Sequence, residues 1–184
     1  HKNITVLELD ITREIDINAI RDFVASAWGN IDAIIHNAGK LIHKPFFKTT
    51  LTDFMEVYKV NVFAVAELTK LLLPFVNRGG HIIGVGSMGG VQGSKKYPGL
   101  SAYTSSKGAL ITLFELLAEE YHESGIAFNT LAIGAVQTEM LKRAFPGYKA
   151  SISPAAMASY IADFALYKAQ FFNGKVIPVS NSTP

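Results

Sequence analysis

The sequence predicts an α/β fold, a doubly wound parallel sheet with helices on both faces, and three observations carry this. Strand-like and helix-like stretches alternate along the chain. The strand-like stretches are short and apolar without a polar side, as strands covered on both faces are. Glycine-rich or polar interruptions follow them, where this architecture places ligands, at the carboxyl ends of strands.

The elements follow in order. Residues 4–9 alternate and read as a strand ending at Asp10. Over 16–28, Ile17, Ile20, Phe23, Val24 and Ala27 recur at helical spacing, and Gly29-Asn30 stops the helix. Residues 31–35 are a buried strand broken by His36-Asn37-Ala38-Gly39. A long helix runs over 50–74, with Thr50 as cap and Asp53 completing a box-like start. Residues 82–85 form a strand closed by Gly86-Ser87-Met88-Gly89-Gly90. A helix over 101–123 turns Leu110, Leu113, Phe114 and Leu117 to one side, and a strand over 126–133 follows. Ser153 caps a helix starting at Pro154, and Asn173-Gly174 turns the chain into a last strand at 175–179. No linker or repeat divides residues 1–184, which read as one domain.

Composition narrows the function. Lys plus Arg number 17 and Asp plus Glu 15, a net charge of +2 with no basic block, so nucleic acid is not expected as a partner. Cysteine is absent, which excludes disulfides, zinc thiolates and cysteine nucleophiles. His36 and His43 have no acidic partner at ligand spacing, so no metal is expected. No apolar run is long enough for a membrane span and no signal-peptide pattern opens the chain, so a cytoplasmic location is expected. His1-Lys2-Asn3 lead straight into a strand-like run, and a further segment is expected upstream.

Four groups carry chemistry. Tyr103 and Lys107, four apart on a helix, share a face. An ammonium beside a phenol favours the phenolate, which suits proton exchange with an alkoxide; a plain surface pair is the other reading. Ser87 stands after a strand in a glycine-rich turn, placed to hold a carbonyl oxygen or simply to make the turn. A nucleophile elbow would need glycine two residues before the serine, and Val85 stands there. Asn61 lies mid-helix, a poor place for asparagine, either functional or a structural polar contact. The small residues of Asn37-Ala38-Gly39 allow a planar ligand close to the backbone, or make a tight turn.

Together these residues resemble the short-chain dehydrogenase/reductase family, from residue 4 to about 179. Tyr103-Thr104-Ser105-Ser106-Lys107 matches its Tyr-x-x-x-Lys signature, and His36-Asn37-Ala38-Gly39 its Asn-Asn-Ala-Gly turn. Val60-Asn61-Val62 and Ile83-Gly84-Val85-Gly86-Ser87 match the segments holding its catalytic Asn and Ser. Leu9-Asp10-Ile11 resembles the segment approaching adenine, and Asn173-Gly174-Lys175-Val176-Ile177 its last strand.

The resemblance implies a Rossmann-like αβα sandwich whose N-terminal βαβ portion, with the glycine-rich phosphate loop, is absent from the given chain. It implies an NAD- or NADP-dependent oxidoreductase acting on a small carbonyl or secondary alcohol. Tyr103 would be general acid or base, Lys107 would lower its pKa and hold ribose hydroxyls, Ser87 would bond the substrate oxygen, and Asn61 would hold a water. Asp10, Asn37, Ala38, Gly39, Gly134, Val136 and Thr138 would join Tyr103 and Lys107 around the cofactor. Ser87 and Tyr103 would meet the substrate, and Leu141, Phe145 and Tyr148 either line an apolar substrate pocket with them or pack against the domain. Pairing of helices 51–74 and 101–123 would give a homodimer or homotetramer. Ile133-Gly134 replaces the family's Pro-Gly, and the interval from Ser87 to Tyr103 is longer than usual, the excess falling in 93–99. The competing readings are a noncatalytic scaffold with the same fold and a serine hydrolase.

Overall fold

The computed structural model describes residues 3–181. Four parallel strands form one sheet in sequence order: β1 (Ile31–His36), β2 (Val76–Ser87), β3 (Ala127–Ile133) and β4 (Lys175–Val179). The helices are α1 (Glu14–Phe23), α2 (Leu51–Tyr58), α3 (Ala64–Leu72), α4 (Ser101–Glu120), α5 (Glu139–Ala144) and α6 (Pro154–Tyr167).

Side chains alternate across the sheet, and each face has its own core. Ile34, Ile82 and Phe128 pack with Val65 and Leu72 of α3 and with Leu110 and Phe114 of α4. Ile83, Val85 and Leu131 point the other way, onto Met157, Ile161 and Phe164 of α6. Adjacent residues Ile82 and Ile83 are both fully buried, which explains why β2 shows no polar side. At Gly84 a Cβ would lie 3.3 Å from the Phe114 ring, so glycine lets α4 settle onto β2.

Local signals in the sequence act as expected at several helix starts. Thr50 accepts from Asp53 N–H while the Asp53 carboxylate accepts from Thr50 N–H, a complete capping box. Ser153 accepts from Ala156 N–H, with Pro154 at the first helical position. The helix expected over 50–74 is interrupted, however. Between α2 and α3 the turn Lys59–Phe63 widens to π geometry, with the buried Asn61 at its centre. α1 likewise runs into a π turn at Val24–Trp28 before Gly29 stops it at φ 75°.

The strand expected over 4–9 does not form. These residues pair with no strand among the described residues, and Ile4 and Val6 are 66% and 85% exposed. Alternation alone does not make a strand; it needs a neighbour for its N–H and C=O groups. β1 pairs only with β2 among the described residues, so its other edge stands open. β2, at 12 residues, exceeds the predicted 82–85, its early residues reaching back to pair Val76 with Ile31. Among the described residues no helix is long and apolar enough to cross a membrane.

His36 is the last residue of β1, not the first of the following turn. It is 7% exposed, edge-on to Phe114, with Nε2 2.9 Å from Thr69 Oγ1. Burial pushes its pKa from 6.5 down to about 4. The folded protein therefore keeps His36 neutral while the unfolded chain takes up a proton below pH 6.5. Stability should fall by roughly 3 kcal/mol from this group as pH drops through that window. Urea unfolding at pH 7 and pH 4.5 checks this, and His36→Gln should flatten the difference.

Candidate active site

A cavity of about 280 Å³ opens at the carboxyl ends of β2 and β3. Ser87 ends β2 and lines it, with Gly89 N–H bonded to Ser87 Oγ at 3.3 Å. Tyr103 and Lys107 reach it from the first turns of α4. Ser87 and Tyr103 both line this cavity, and the nearby Ser87 hydroxyl favours the charged form of the Tyr103 phenol. The predicted trio is thus brought together although Ser87 and Tyr103 lie on different elements.

Lys107 is only 4% exposed, and its Nζ donates to Val85 O at 2.7 Å. The bond ties α4 to the end of β2. Burial draws the Lys107 pKa from 10.5 down to about 8. The expected lowering of the Tyr103 pKa by Lys107 is not what this geometry gives. Burial raises the Tyr103 pKa, and only the Ser87 hydroxyl opposes it. Lys107 Nζ lies 5.8 Å from the Tyr103 ring centroid and is turned to the Val85 carbonyl instead.

Asn61 is fully buried, and its amide is completely engaged. Its Oδ1 accepts from Lys40 N–H at 2.8 Å, and its Nδ2 donates to Lys40 O and to Ser106 Oγ, both at 2.9 Å. Asn61 therefore pairs with the Lys40 backbone as a neighbouring strand would, and so fixes the turn 37–40. Ser106 in turn donates to Tyr103 O at 2.7 Å. A Cβ placed on Gly39 would lie 3.6 Å from Asn61 Oδ1 and 3.7 Å from Lys107 Nζ, ordinary contact distances that put the turn beside both groups.

Of the remaining residues proposed from sequence, Asn37, Gly39, Gly134, Val136, Thr138, Leu141 and Phe145 line the same cavity. Asp10, Ala38 and Tyr148 do not line it. Asp10 is exposed and bonds Thr12 through N–H and hydroxyl, each at 2.8 Å, and these bonds lower its pKa. Thr138 caps α5, accepting from Leu141 N–H at 3.2 Å.

Sequence reasoning missed Ser106, Tyr97, Met88, Met140 and the contact at Gly90. Ser106 sits inside the Tyr-x-x-x-Lys run, and only the need of a buried asparagine for acceptors would have flagged it. In the sequence Tyr97 stands only as part of the lengthened interval 93–99, yet it lines the cavity.

Comparison with known proteins now adds to this geometry. A family model described as short chain dehydrogenase matches residues 1–149. A 7α-hydroxysteroid dehydrogenase of Escherichia coli strain K12 is 36% identical over 135 residues, 72% of this chain and 51% of its own length. The chain belongs to the short-chain dehydrogenase family. It spans about half the length of that curated relative.

Among solved structures, a short chain dehydrogenase family protein from Francisella tularensis subsp. tularensis SCHU S4 superposes with TM-score 0.85 at 25% identity. That match covers 97% of this chain and 81% of the other. A 7α-hydroxysteroid dehydrogenase complexed with NADH and 7-oxo glycochenodeoxycholic acid superposes with TM-score 0.84 at 27% identity, covering 96% and 73%. The parallel sheet and flanking helices are thus those of the short-chain dehydrogenase fold.

α4 lies close against the turn after β2. A Cβ on Gly90 would sit 2.8 Å from Lys107 C and 2.9 Å from Gly108 N, both backbone atoms of α4. Gly90→Ala must therefore push α4 away, carrying Tyr103 and Lys107 with it. The expected cost is about 1–3 kcal/mol, read as a lower urea midpoint at unchanged m-value.

Proposed function

We propose that this chain is the catalytic part of an oxidoreductase that passes hydride between NAD or NADP and a small carbonyl compound or secondary alcohol, with Tyr103 as general acid or base. The observation that carries this reading is the convergence of Ser87, Tyr103 and the buried Lys107 on one cavity at the carboxyl ends of the strands.

The residues present fit the nicotinamide half of such a cofactor. Gly39 and Gly134 bring bare backbone to the cavity wall, where a flat ring needs close approach. An ammonium has three donors, and the bond to Val85 O uses one, leaving Lys107 two for ribose hydroxyls. Asn37, Ala38, Val136 and Thr138 are proposed to flank the same group, and Asp10 to approach the adenine end. When bound, the nicotinamide supplies or accepts the hydride.

The chain's own groups control position and proton. Ser87 holds the substrate oxygen next to Tyr103. In reduction the Tyr103 phenol gives its proton to the forming alkoxide, and the raised pKa keeps that phenol protonated at neutral pH. In oxidation Tyr103 takes the proton back. Asn61, fully paired with Lys40 and Ser106, holds the turn against Lys107; a bound water beside it is part of the proposal. Leu141 of α5 and Phe145 directly after it cover the substrate. Exposed Leu51, Met55 and Phe63 on one helical run and Leu116 on α4 support a homodimer or homotetramer through helices 51–74 and 101–123. No observation favours the noncatalytic or hydrolase readings.

The decisive experiment is turnover by the full-length protein with NADH and NADPH. Tyr103→Phe should reduce kcat by on the order of 100-fold or more, with little change in Tm; unchanged turnover would remove the assignment. Cofactor affinity measured by calorimetry from pH 6.5 to 9.5 should weaken as Lys107 loses its proton near pH 8. Lys107→Met should abolish that pH dependence.

A further inference from the structure

Resting on the reading just given, the walls of the cavity point further, to a class of substrate. Among the described residues that line it, Lys107 is the only charged one. Its Nζ is already bonded to Val85 O and lies deep in the floor. Among the described residues no arginine, histidine, aspartate or glutamate lines the cavity.

Much of the remaining lining is apolar, including Leu41, Leu100, Met140, Leu141, Ala144 and Phe145. α5 is sided to make it so. Leu141 and Ala144 face the cavity while Lys142 and Arg143 are exposed, away from it. Thr138, the polar residue at the start of this wall, has its hydroxyl engaged by Leu141 N–H.

Phe145 is held from behind. Its ring lies 5.4 Å from that of His43 and 6.1 Å, edge-on, from that of Tyr97. His43 packs on Gly99, where a Cβ would fall 2.6 Å from the imidazole and φ is +86°. Tyr97 is carried by a fastened loop. Ser94 Oγ donates to Met88 O and Val91 O, and Lys96 Nζ donates to Val91 O at 2.6 Å. Lys44 N–H closes the far end on Gly99 O at 2.9 Å. The Tyr97 hydroxyl is buried with no hydrogen-bond partner among the described residues, so the residue offers its ring to the cavity rather than its oxygen.

We infer that the substrate is an uncharged, predominantly apolar ketone or secondary alcohol, and that Phe145, gripped between His43 and Tyr97, is a specificity-determining residue. The physical reason is asymmetric. An apolar group gains by leaving water for this wall. A carboxylate or sulfonate would be stripped of water with no counterion beyond Lys107, and a polyol would find few partners beyond Asn37, Ser87, Tyr103 and Thr104, none of them on the apolar part of the lining. The two methionines, Met88 and Met140, let the wall adapt to shape without changing its polarity.

Two matched pairs of probes test this on the full-length protein. 4-Methylcyclohexanone and 4-oxocyclohexane-1-carboxylate differ mainly in charge. Pentan-3-one and 1,3-dihydroxyacetone are near-isosteric and differ in polarity. The neutral apolar member of each pair should win in kcat/KM, by at least 100-fold in the first pair and tenfold in the second. Phe145→Arg should narrow the first gap at least tenfold by giving the carboxylate a partner, while Phe145→Leu should keep it. Equal or better use of the carboxylate or the dihydroxy ketone by the unmodified protein would overturn the inference. If no probe turns over with either cofactor, the oxidoreductase reading fails on its own. Saturation-transfer NMR of the same four compounds then decides the substrate class separately: it requires 4-methylcyclohexanone to bind more tightly than the carboxylate, and the reverse order refutes it.

Discussion

The site depends on one buried ammonium. Lys107 Nζ, bonded to Val85 O at 2.7 Å, joins α4 to the tip of β2 and so sets where Tyr103 stands relative to Ser87. The same junction is pressed together at Gly84, under Phe114, and at Gly90, against the backbone of Lys107 and Gly108. The burial works against folding. With its pKa drawn from 10.5 to about 8, Lys107 holds its charge at neutral pH at a cost of roughly 3 kcal/mol relative to high pH. A group that opposes folding in this way is of the kind expected where chemistry, not stability, decides the residue.

Around that junction the polar groups form a chain that the backbone alone would not have made. The π turn at Lys59–Phe63 turns Asn61 inward, where it pairs with both polar groups of the Lys40 peptide and with Ser106. The segment after β1 thereby answers to α4 rather than lying free. A buried asparagine is tolerated only with its hydrogen bonds made, and here every one is accounted for. The structural reading of Asn61 and its proposed place in the active site are therefore compatible.

Much of the fold was legible because its signals are local. The capping box at Thr50 and Asp53, Ser153 with Pro154, and the apolar runs of β2 and β3 each act within a few residues. What misled was also local. The alternation at 4–9 has the form of a strand, yet pairing is a property of two segments. The site was legible through its spacing: Tyr103 and Lys107 share a helix face at any tertiary arrangement, and Ser87 had to end a strand. The pKa of Tyr103 was not legible, since it follows from burial and from which oxygen Lys107 prefers.

By itself the sequence determined the four strands of the sheet and most of the helices between them, the ends at which ligands gather, and the family to which the chain belongs, because periodicity, caps and motif spacing are carried by residues close along the chain. Only the tertiary structure decided that Asn61 closes on Lys40 and Ser106, that Lys107 turns to Val85, and that Tyr97 and His43 grip Phe145 over an uncharged wall. Those contacts join residues 21 to 102 positions apart, and nothing short of packing sets which of several acceptors or rings a side chain meets.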